Sequence, residues 1–386
     1  MSRHEAVTLT RQLLALNTVN PPGQEAAAIH LAGALLEDAG FTTRLVELAP
    51  GRPNLVARIA GHDGDAPALG FTGHLDVVPL GEAPWSVDPF AGELHGDRLF
   101  GRGSADMKSG VAAMVVAACR IARRRGRRAG MELVLTAGEE IGCAGAHAVI
   151  RQPAALGRVG ALVVGEPTDL RPRVGHRGVT WVRLSFSGRT AHASMPHEGD
   201  NAVLKAARAA LVLAEHDFGG IDHPALGRPT LNVGRLEGGL NLNSVPDRAV
   251  LGIDVRLVPG QSGRQLVAEL ARLWPEAELE LLVDCPPMWS DPAAAWLQRV
   301  AERAADVTGQ PPAAPAPVPF ATDAGYLTPA YGDPPTVILG PGLTEQAHKT
   351  DEWCSTTRIE QAVELYAELA AAWCAGEEGA QHLSGG

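Results

Sequence analysis

The sequence predicts an α/β fold in which a central mixed sheet, flanked by helices, is interrupted by a smaller inserted α+β domain. Helical and strand patterns alternate over residues 1–175 and resume after 286, and a different order of elements lies between them. A chain of 386 residues is also too long for one ordinary hydrophobic core. We therefore predict a larger domain formed by 1–176 with 286–386, and an inserted domain formed by 177–285.

The elements of the larger domain follow from apolar periodicity. Helices are predicted over 24–39, 108–123, 143–150, 292–307 and 357–374. Strands are predicted over 41–48, 54–59, 68–72, 131–136, 161–164 and 336–339. The helix at 108–123 is rich in Ala, Val and Met, so we expect it to be buried.

The inserted domain has a different order of elements. Strands are predicted over 179–187, 229–236, 249–257 and 278–283, and helices over 201–215 and 262–273. The resulting order, βαββαβ, is that of the ferredoxin-like split unit.

Charge and cysteine content limit the function classes. A formal net charge of −11 argues against a nucleic-acid partner, which requires a concentrated basic face. The basic run 123–128 is interpreted as the solvated end of a helix. No apolar run is long enough to span a bilayer, and no signal-peptide core is present at the N-terminus. Five scattered cysteines without a C-x-x-C pair predict reduced thiols and a cytoplasmic location.

Five potential metal ligands lie beside the ends of predicted elements. The carboxyl ends of strands in an open α/β sheet meet at one edge, where ligands bind. Their His, Asp and Glu side chains offer the nitrogen and oxygen donors that zinc accepts, although cobalt or manganese also suits such a set. The sequence therefore predicts two adjacent divalent cations, held by His74, Asp106, Glu140, Glu166 and His348.

Three carboxylates have further predicted roles. Asp106 is expected to bridge the two cations, because a carboxylate has two oxygens. Glu139 adjoins a ligand but is left over, so it is the candidate base that activates water and then protonates the leaving amine. Asp76, two residues after His74, is expected to accept the imidazole N–H and fix its tautomer.

Each candidate ligand has an ordinary structural alternative. His74 could be a strand-end histidine, Asp106 a helix N-cap and Glu166 a loop carboxylate. Their shared position at one predicted sheet edge favours the metal site over coincidence. No G-x-S-x-G, H-E-x-x-H or G-x-x-x-x-G-K-[ST] motif offers another mechanism.

Several motifs together resemble the zinc metallopeptidase family of acetylornithine deacetylase, succinyl-diaminopimelate desuccinylase, aminoacylase and glutamate carboxypeptidase. They are G-H-L-D-V-V-P (73–79), W-S-V-D-P-F (85–90), G-R-G-S-A-D-M-K-S-G (101–110), T-A-G-E-E-I-G (136–142), V-G-E-P-T (164–168) and G-R-T-A-H-A-S-M-P-H-E-G-D-N-A (188–202). The resemblance covers nearly the whole chain. It implies that one zinc is bound by His74, Asp106 and Glu166, and the other by Asp106, Glu140 and His348.

The resemblance also implies roles for the inserted domain and for the substrate site. The inserted domain would act as a lid and form a homodimer, with His192 reaching into the partner's active site. Asn243 and Arg256 match substrate-binding positions, Arg256 through a carboxylate. The segment from Thr322 to Gly325 matches a substrate-contacting loop. Alternatively, His192 is a surface histidine, Arg256 pairs within its sheet, and Asp323 caps the following turn.

The expected activity is removal of an N-acetyl or N-succinyl group from an amino acid, by attack of a water that bridges the metals. G-E-P-T at 165–168 favours this deacetylase and desuccinylase branch of the family. A dipeptidase or glutamate carboxypeptidase activity is the first alternative. A catalytically silent protein that binds amino-acid derivatives is the second, and an intact base argues against it.

Overall fold

The computed structural model describes residues 4–124, 126–312 and 314–377, and these form two compact units. The smaller unit consists of His176–Met288 together with Pro319–Ala321. The described residues before His176, from Trp289 to Val318 and from Thr322 onward form the larger unit. Arg125, in the basic run of 123–128, lies outside the described residues.

The helices of the described residues are α1 (His4–Leu14), α2 (Ala26–Asp38), α3 (Lys108–Ala122), α4 (Ala144–Ile150), α5 (Ala202–Ala214), α6 (Gly263–Leu273), α7 (Ala295–Thr308), α8 (Ala324–Ala330) and α9 (Thr356–Ala375). Among these helices, none combines the length and the apolar character that crossing a bilayer requires.

The strands of the described residues are β1 (Thr42–Ala49), β2 (Arg52–Ile59), β3 (Ala68–His74), β4 (Leu94–His95), β5 (Arg98–Phe100), β6 (Met131–Thr136), β7 (Val159–Val164), β8 (Gly175–His176), β9 (Val179–Ser187), β10 (Thr230–Gly238), β11 (Arg248–Arg256), β12 (Ala277–Cys285), β13 (Met288–Trp289), β14 (Thr336–Ile338) and β15 (Trp353–Ser355).

The larger unit is built on a six-stranded mixed sheet in the order β1-β2-β6-β3-β7-β14. The β1–β2 and β2–β6 pairs are antiparallel, whereas β3 pairs in parallel with both β6 and β7. Residue His74 lies opposite Thr136, and Thr72 lies opposite Val164. The carboxyl ends of these three strands therefore share one edge. The mixed α/β architecture predicted from the sequence is confirmed.

Helix α3 lies in the core of the larger unit, as its composition predicts. All of its residues except Arg120 are buried, and α3 packs against α1 and α9. A helix that is apolar on every side is stable only when other elements cover it all round. Burial of α3 behind the sheet fixes the position of the loop at 101–107 that precedes it.

The smaller unit contains a four-stranded antiparallel sheet in the order β10-β11-β9-β12. Alternate residues of β9 point into its core, where Val182, Leu184 and Phe186 pack with apolar residues of α5 and α6. Because β10 is at the edge of the sheet, one side of its backbone has no neighbouring strand within the described residues.

Two helices of the structure do not follow from the apolar periodicity of the sequence. Helix α1 has a clear apolar face formed by Ala6, Leu9 and Leu13, but mixed charges near the N-terminus obscured it. Helix α8 is short and contains Pro329, so it lacks the propensity and length that a sequence pattern reveals.

Asp97, in the turn between β4 and β5, holds the first turn of α9. Its Oδ1 accepts hydrogen bonds from the backbone N–H of Thr357 at 2.9 Å and from the hydroxyls of Thr356 and Thr357 at 2.8 Å. Its Oδ2 accepts from the Ser355 hydroxyl at 2.5 Å. Burial acts to raise the pKa of Asp97, but the hydrogen bonds from Ser355 and Thr357 lower it to about 2.

We expect Asp97→Asn to lower the melting temperature near pH 7, by a stability loss on the order of 1 kcal/mol or less because Asp97 is exposed to screening solvent. The folded pKa is depressed, so the contribution of the carboxylate is complete above about pH 4 and is lost as the pH falls towards 2. The difference in melting temperature from wild type should therefore shrink near pH 2, and Asp65→Asn, at another exposed carboxylate, serves as the control. A difference that is equal at both pH values would contradict this account.

Candidate metal centre

The shared edge of β3, β6 and β7 carries most of the candidate ligands. Strand β3 ends at His74, and Glu166 lies two residues beyond the end of β7. After β6, the chain passes through Gly138 at a φ of 71° into a 3-10 turn that contains Glu139 and Glu140. This left-handed conformation favours glycine, and the turn directs both glutamates to the same edge as His74.

Three ligand atoms form a first candidate site, from His74, Asp106 and Glu166. They all lie within 4.8 Å of one another. The Nε2 atom of His74 is 3.2 Å from Asp106 Oδ1 and 3.7 Å from Glu166 Oε1. The side chains of His74 and Glu166 are buried.

A second candidate site uses the other oxygen of Asp106, with Glu140 and His348. His348 Nε2 is 3.1 Å from Glu140 Oε2 and 3.4 Å from Asp106 Oδ2. His348 has a positive φ of 64°, and its side chain is 54 % exposed, so this site opens to solvent. The structure thus brings together all five candidate ligands, and Asp106 belongs to both groups.

Buried carboxylates dominate the electrostatics of the centre. Burial raises the pKa of Glu166 and of Glu140, and the nearby charge of Asp106 raises both further. Hydrogen bonds to Asp106 and Glu140 raise the pKa of His348 to about 10. Burial acts to lower the pKa of His74, but Glu166 and Asp106 raise it well above its usual value. Burial and the charge of Asp106 thus favour the protonated form of each of these glutamates.

Asp76 differs in part from its predicted role. The backbone carbonyl of Asp76, rather than its carboxylate, is the closer partner of His74, at 2.9 Å from Nδ1 against 3.6 Å for Oδ1. The carboxylate instead accepts the backbone N–H groups of Glu139 at 3.0 Å and Glu140 at 3.2 Å. The two contacts of Asp76 with Nδ1 of His74 leave Nε2 directed at Asp106. Asp76 therefore orients both the His74 ring and the turn that carries the two glutamates.

Glu139 lies outside the two ligand groups that share Asp106, and it forms a third group of potential ligands with Cys143 and Asp323. The Cys143 thiol donates to Glu139 Oε1 at 3.4 Å. Burial raises the pKa of Glu139 well above its usual value, and Glu166, Glu140 and Asp323 raise it further, although His74 acts to lower it. Asp323 makes no capping bond to α8, and its Oδ2 accepts from the Thr136 hydroxyl at 2.5 Å, so the capping alternative is wrong.

The capping alternative for Asp106 is also wrong, because the N-cap position of α3 is Met107 and no side chain caps the helix there. The backbone N–H of Asp106 is instead bound by Glu352 at 3.1 Å. Glu352 and its partner Arg102 were not predicted from the sequence. Both are buried, and 250 positions separate them, so no local pattern could have linked them.

The predicted substrate-binding residues lie in both units. His192 is exposed in the smaller unit, where its Nδ1 bonds the Ser194 hydroxyl at 2.8 Å. It forms a β-bridge with Ser244, and Ala193 donates to the carbonyl of Asn243 at 3.0 Å. His192 and Asn243 are thus neighbours within this unit.

Arg256 also belongs to the smaller unit, at the end of β11, and its Nη2 donates to Asp254 at 2.8 Å. Pairing within the sheet, the alternative considered from the sequence, is therefore present. Thr322 and Gly325 belong to the larger unit and are buried at the start of α8.

The donor chemistry fits two divalent cations. Each triad combines one imidazole nitrogen with two carboxylate oxygens, a set that zinc, cobalt and manganese accept. The crowded carboxylates repel one another, and a cation in each triad would offset that repulsion.

A pair of cation sites with a shared carboxylate, next to a carboxylate outside both groups, is typical of metal-dependent hydrolases. The chain belongs to peptidase family M20/M25/M40, whose family model matches residues 70–372. The chain is 32% identical over 394 residues to a succinyl-diaminopimelate desuccinylase of Rhodospirillum centenum, covering 97% of this chain and 98% of the relative. It is 30% identical over 362 residues to an acetylornithine deacetylase of Vibrio atlanticus, covering 88% and 89% respectively.

The fold is shared with a family M20 metallo-carboxypeptidase of Sulfolobus solfataricus, with a TM-score of 0.78 at 19% sequence identity over 96% of this chain and 99% of the other. The M20 family includes dinuclear metal-binding peptidases. The chain is accordingly a metal-dependent amidohydrolase of this family, as its motifs predict.

Proposed function

We propose that this chain removes an acetyl or succinyl group from the nitrogen of an amino acid, using two zinc ions. The observation that carries the proposal is the pair of ligand triads that share Asp106, with Glu139 beside them but in neither. The two relatives named for deacetylation and desuccinylation support the substrate class, since they align along most of their length. Cobalt is an alternative cation for the same ligands.

The chemistry divides between the cations and the chain. When bound, the two cations polarise the amide carbonyl and lower the pKa of water. Glu139 accepts the proton that the attacking water loses and delivers it to the leaving amine. Its raised pKa suits the acid half of this cycle. Asp76 holds the backbone N–H of Glu139 and so keeps the base in position while its carboxylate changes protonation state.

Four residues are proposed to bind the substrate: Arg256, Asn243, Thr322 and Gly325. Arg256 binds the amino-acid carboxylate, because a guanidinium offers two parallel N–H donors. Its bond to Asp254 orients the guanidinium for that contact. Asn243 binds the substrate, and His192 reaches into the partner's active site, where it stabilises the oxyanion. Thr322 and Gly325 belong to a substrate-contacting loop.

The proposal includes a cytoplasmic homodimer formed through the smaller unit, which also serves as a lid. Leu204, Leu211 and Val212 lie on one face of α5 and are 51%, 72% and 53% exposed. Leu236, on the neighbouring edge strand β10, is 44% exposed. Exposed apolar side chains on α5 and on a strand that forms the sheet edge among the described residues are suited to contact with a second copy of the chain. The five cysteines are buried thiols, which supports a reducing compartment.

Substitution Glu139→Gln tests the base. We expect turnover to fall by about 10²- to 10⁴-fold, since the amide cannot take up the proton. Metal content should stay at two ions per chain, because Glu139 is in neither triad. Steady-state kinetics and elemental analysis of the same samples measure both, with Glu93→Gln at an exposed glutamate as the control. If the variant turns over substrate as fast as the wild type, Glu139 is not the base. If the wild type itself shows no turnover, a catalytically silent binding protein is favoured.

A substrate panel tests the acyl-group assignment. Purified protein with added zinc or cobalt should hydrolyse N-acetyl or N-succinyl amino acids at least about tenfold faster, as kcat/KM, than dipeptides of the same residue, a difference of about 1.4 kcal/mol. Esterifying the substrate carboxylate should raise KM if Arg256 binds it. Rapid cleavage of dipeptides without any deacylation would instead identify a dipeptidase.

Substitution Leu211→Glu tests the dimer. Burying an unpaired carboxylate in the interface should weaken association by about 100-fold or more, so sedimentation at micromolar concentration should give the 40.4 kDa monomer rather than twice that mass. The control is Leu273→Glu on α6, at a leucine that is 46% exposed. Equal masses for wild type and both variants would contradict the assigned interface.

A further inference from the structure

Glu352 is a buried carboxylate that contacts the loop carrying the shared ligand Asp106. We propose that Glu352, paired with Arg102, is a positioning residue that orients Asp106 toward both cation sites and links it to His348. This inference rests on the proposed two-cation function.

The carboxylate of Glu352 binds the backbone of the Asp106 loop through both oxygens. Oε1 accepts hydrogen bonds from the N–H of Ala105 at 2.7 Å and of Asp106 at 3.1 Å. Oε2 accepts from the N–H of Gly103 at 2.9 Å. The Glu352 side chain is 1% exposed, so water does not compete for these bonds. Three peptide groups of one short loop are therefore held by one side chain.

Arg102 connects this loop to the segment that carries His348. Its Nη1 donates to Glu352 Oε2 at 2.6 Å. Its Nη2 lies 3.3 Å from the carbonyl oxygen of Pro79 and 3.5 Å from that of His348. The backbone adds a further link, because the N–H of Gly101 donates to the carbonyl of Glu352 at 2.9 Å. A movement of the Asp106 loop would therefore also shift His348, and a movement of the segment with His348 would shift Asp106.

Asp106 needs this support because its two oxygens serve different sites. Oδ1 lies 3.2 Å from His74 Nε2, and Oδ2 lies 3.4 Å from His348 Nε2. A rotation of the Asp106 backbone would move both oxygens at once. The other side of the loop is closed by backbone, since a Cβ added at Gly342 would lie 2.3 Å from the carbonyl oxygen of Ala105. Glu352 and Gly342 therefore both restrict the position of the loop.

The role requires a side chain with two acceptor oxygens. Four donors face the two oxygens of Glu352: the N–H groups of Gly103, Ala105 and Asp106 and the guanidinium of Arg102. Glutamine has the same size, but its NH₂ group would replace one oxygen and repel the two donors that face it. Partners that orient a metal ligand from outside the ligand set commonly account for about 10- to 100-fold in metal affinity. The effect should therefore appear in metal binding as well as in turnover.

The test compares Glu352→Gln with Glu132→Gln. Glu132 is a matched control because it is also buried in the larger unit, paired with Arg58 at 2.5 Å and bonded to the N–H of Gly157 at 2.8 Å, but it is not among the groups that could hold a cation. Zinc affinity is measured by competition with a chromogenic chelator, and the visible spectrum of the cobalt-loaded protein reports on ligand geometry. Glu352→Asp is included because it keeps the charge opposite Arg102 if the glutamine variant does not fold.

We expect zinc affinity to fall about 10- to 100-fold in Glu352→Gln, with an altered cobalt spectrum and a kcat that excess metal partly restores. Glu352→Asp should weaken binding in the same direction, and Glu132→Gln should lower the melting temperature with metal affinity unchanged. Wild-type zinc affinity in the folded Glu352 variants would overturn the inference, and so would an equal loss of affinity in Glu132→Gln. In either case, two ions bound by the wild-type protein would still support the proposed function. A wild-type protein that bound fewer than two ions would overturn both.

Discussion

His74, the Glu139–Glu140 turn and Glu166 come together because β3 is hydrogen-bonded in parallel to both β6 and β7. Parallel pairing puts the carboxyl ends of all three strands at one edge of the sheet. The polar residues that follow each strand therefore lie close together. The same pairing requires crossover segments, which the chain provides as helices that cover the sheet. The candidate metal centre thus depends on strand order more than on any single contact.

Concentrating carboxylates in this way is unfavourable in the absence of cations. Burial and mutual repulsion raise the pKa values of Glu139, Glu140 and Glu166. Asp106 differs from them, because hydrogen bonds from His348 and His74 outweigh burial and lower its pKa. The one carboxylate that belongs to both ligand groups is therefore the one that stays most firmly ionised, which suits a bridging ligand.

Residues outside the candidate ligand set position the segments that carry the candidate ligands. Asp76 binds the backbone of the glutamate turn and, through its own carbonyl, the ring of His74. Glu352 binds the backbone of the loop that carries Asp106. In both cases a buried carboxylate accepts backbone N–H groups, which are stiffer anchors than side chains. The two supports act on different ligands, so their substitution should have separable effects.

The sequence alone predicts the approximate positions of the main strands, the buried character of α3, the βαββαβ order of the smaller unit and the five candidate ligands, because each depends on local periodicity or on a residue next to an element's end. Several strand ends differ from the prediction, and β3 extends to His74 rather than to 72. The role of Asp76, the hydrogen bond from Cys143 to Glu139 and the pairing of Arg102 with Glu352 do not follow from the sequence. Two of these contacts join residues that are 63 and 250 positions apart, so no local pattern links them. The contact from Cys143 to Glu139 spans only 4 positions, but it lies in a loop, where packing by surrounding segments sets the direction of the side chains. The sequence pattern determined which groups could bind cations. Tertiary packing decided which carboxylates lie together as potential ligands and which instead bind the backbone of the segments that carry those ligands.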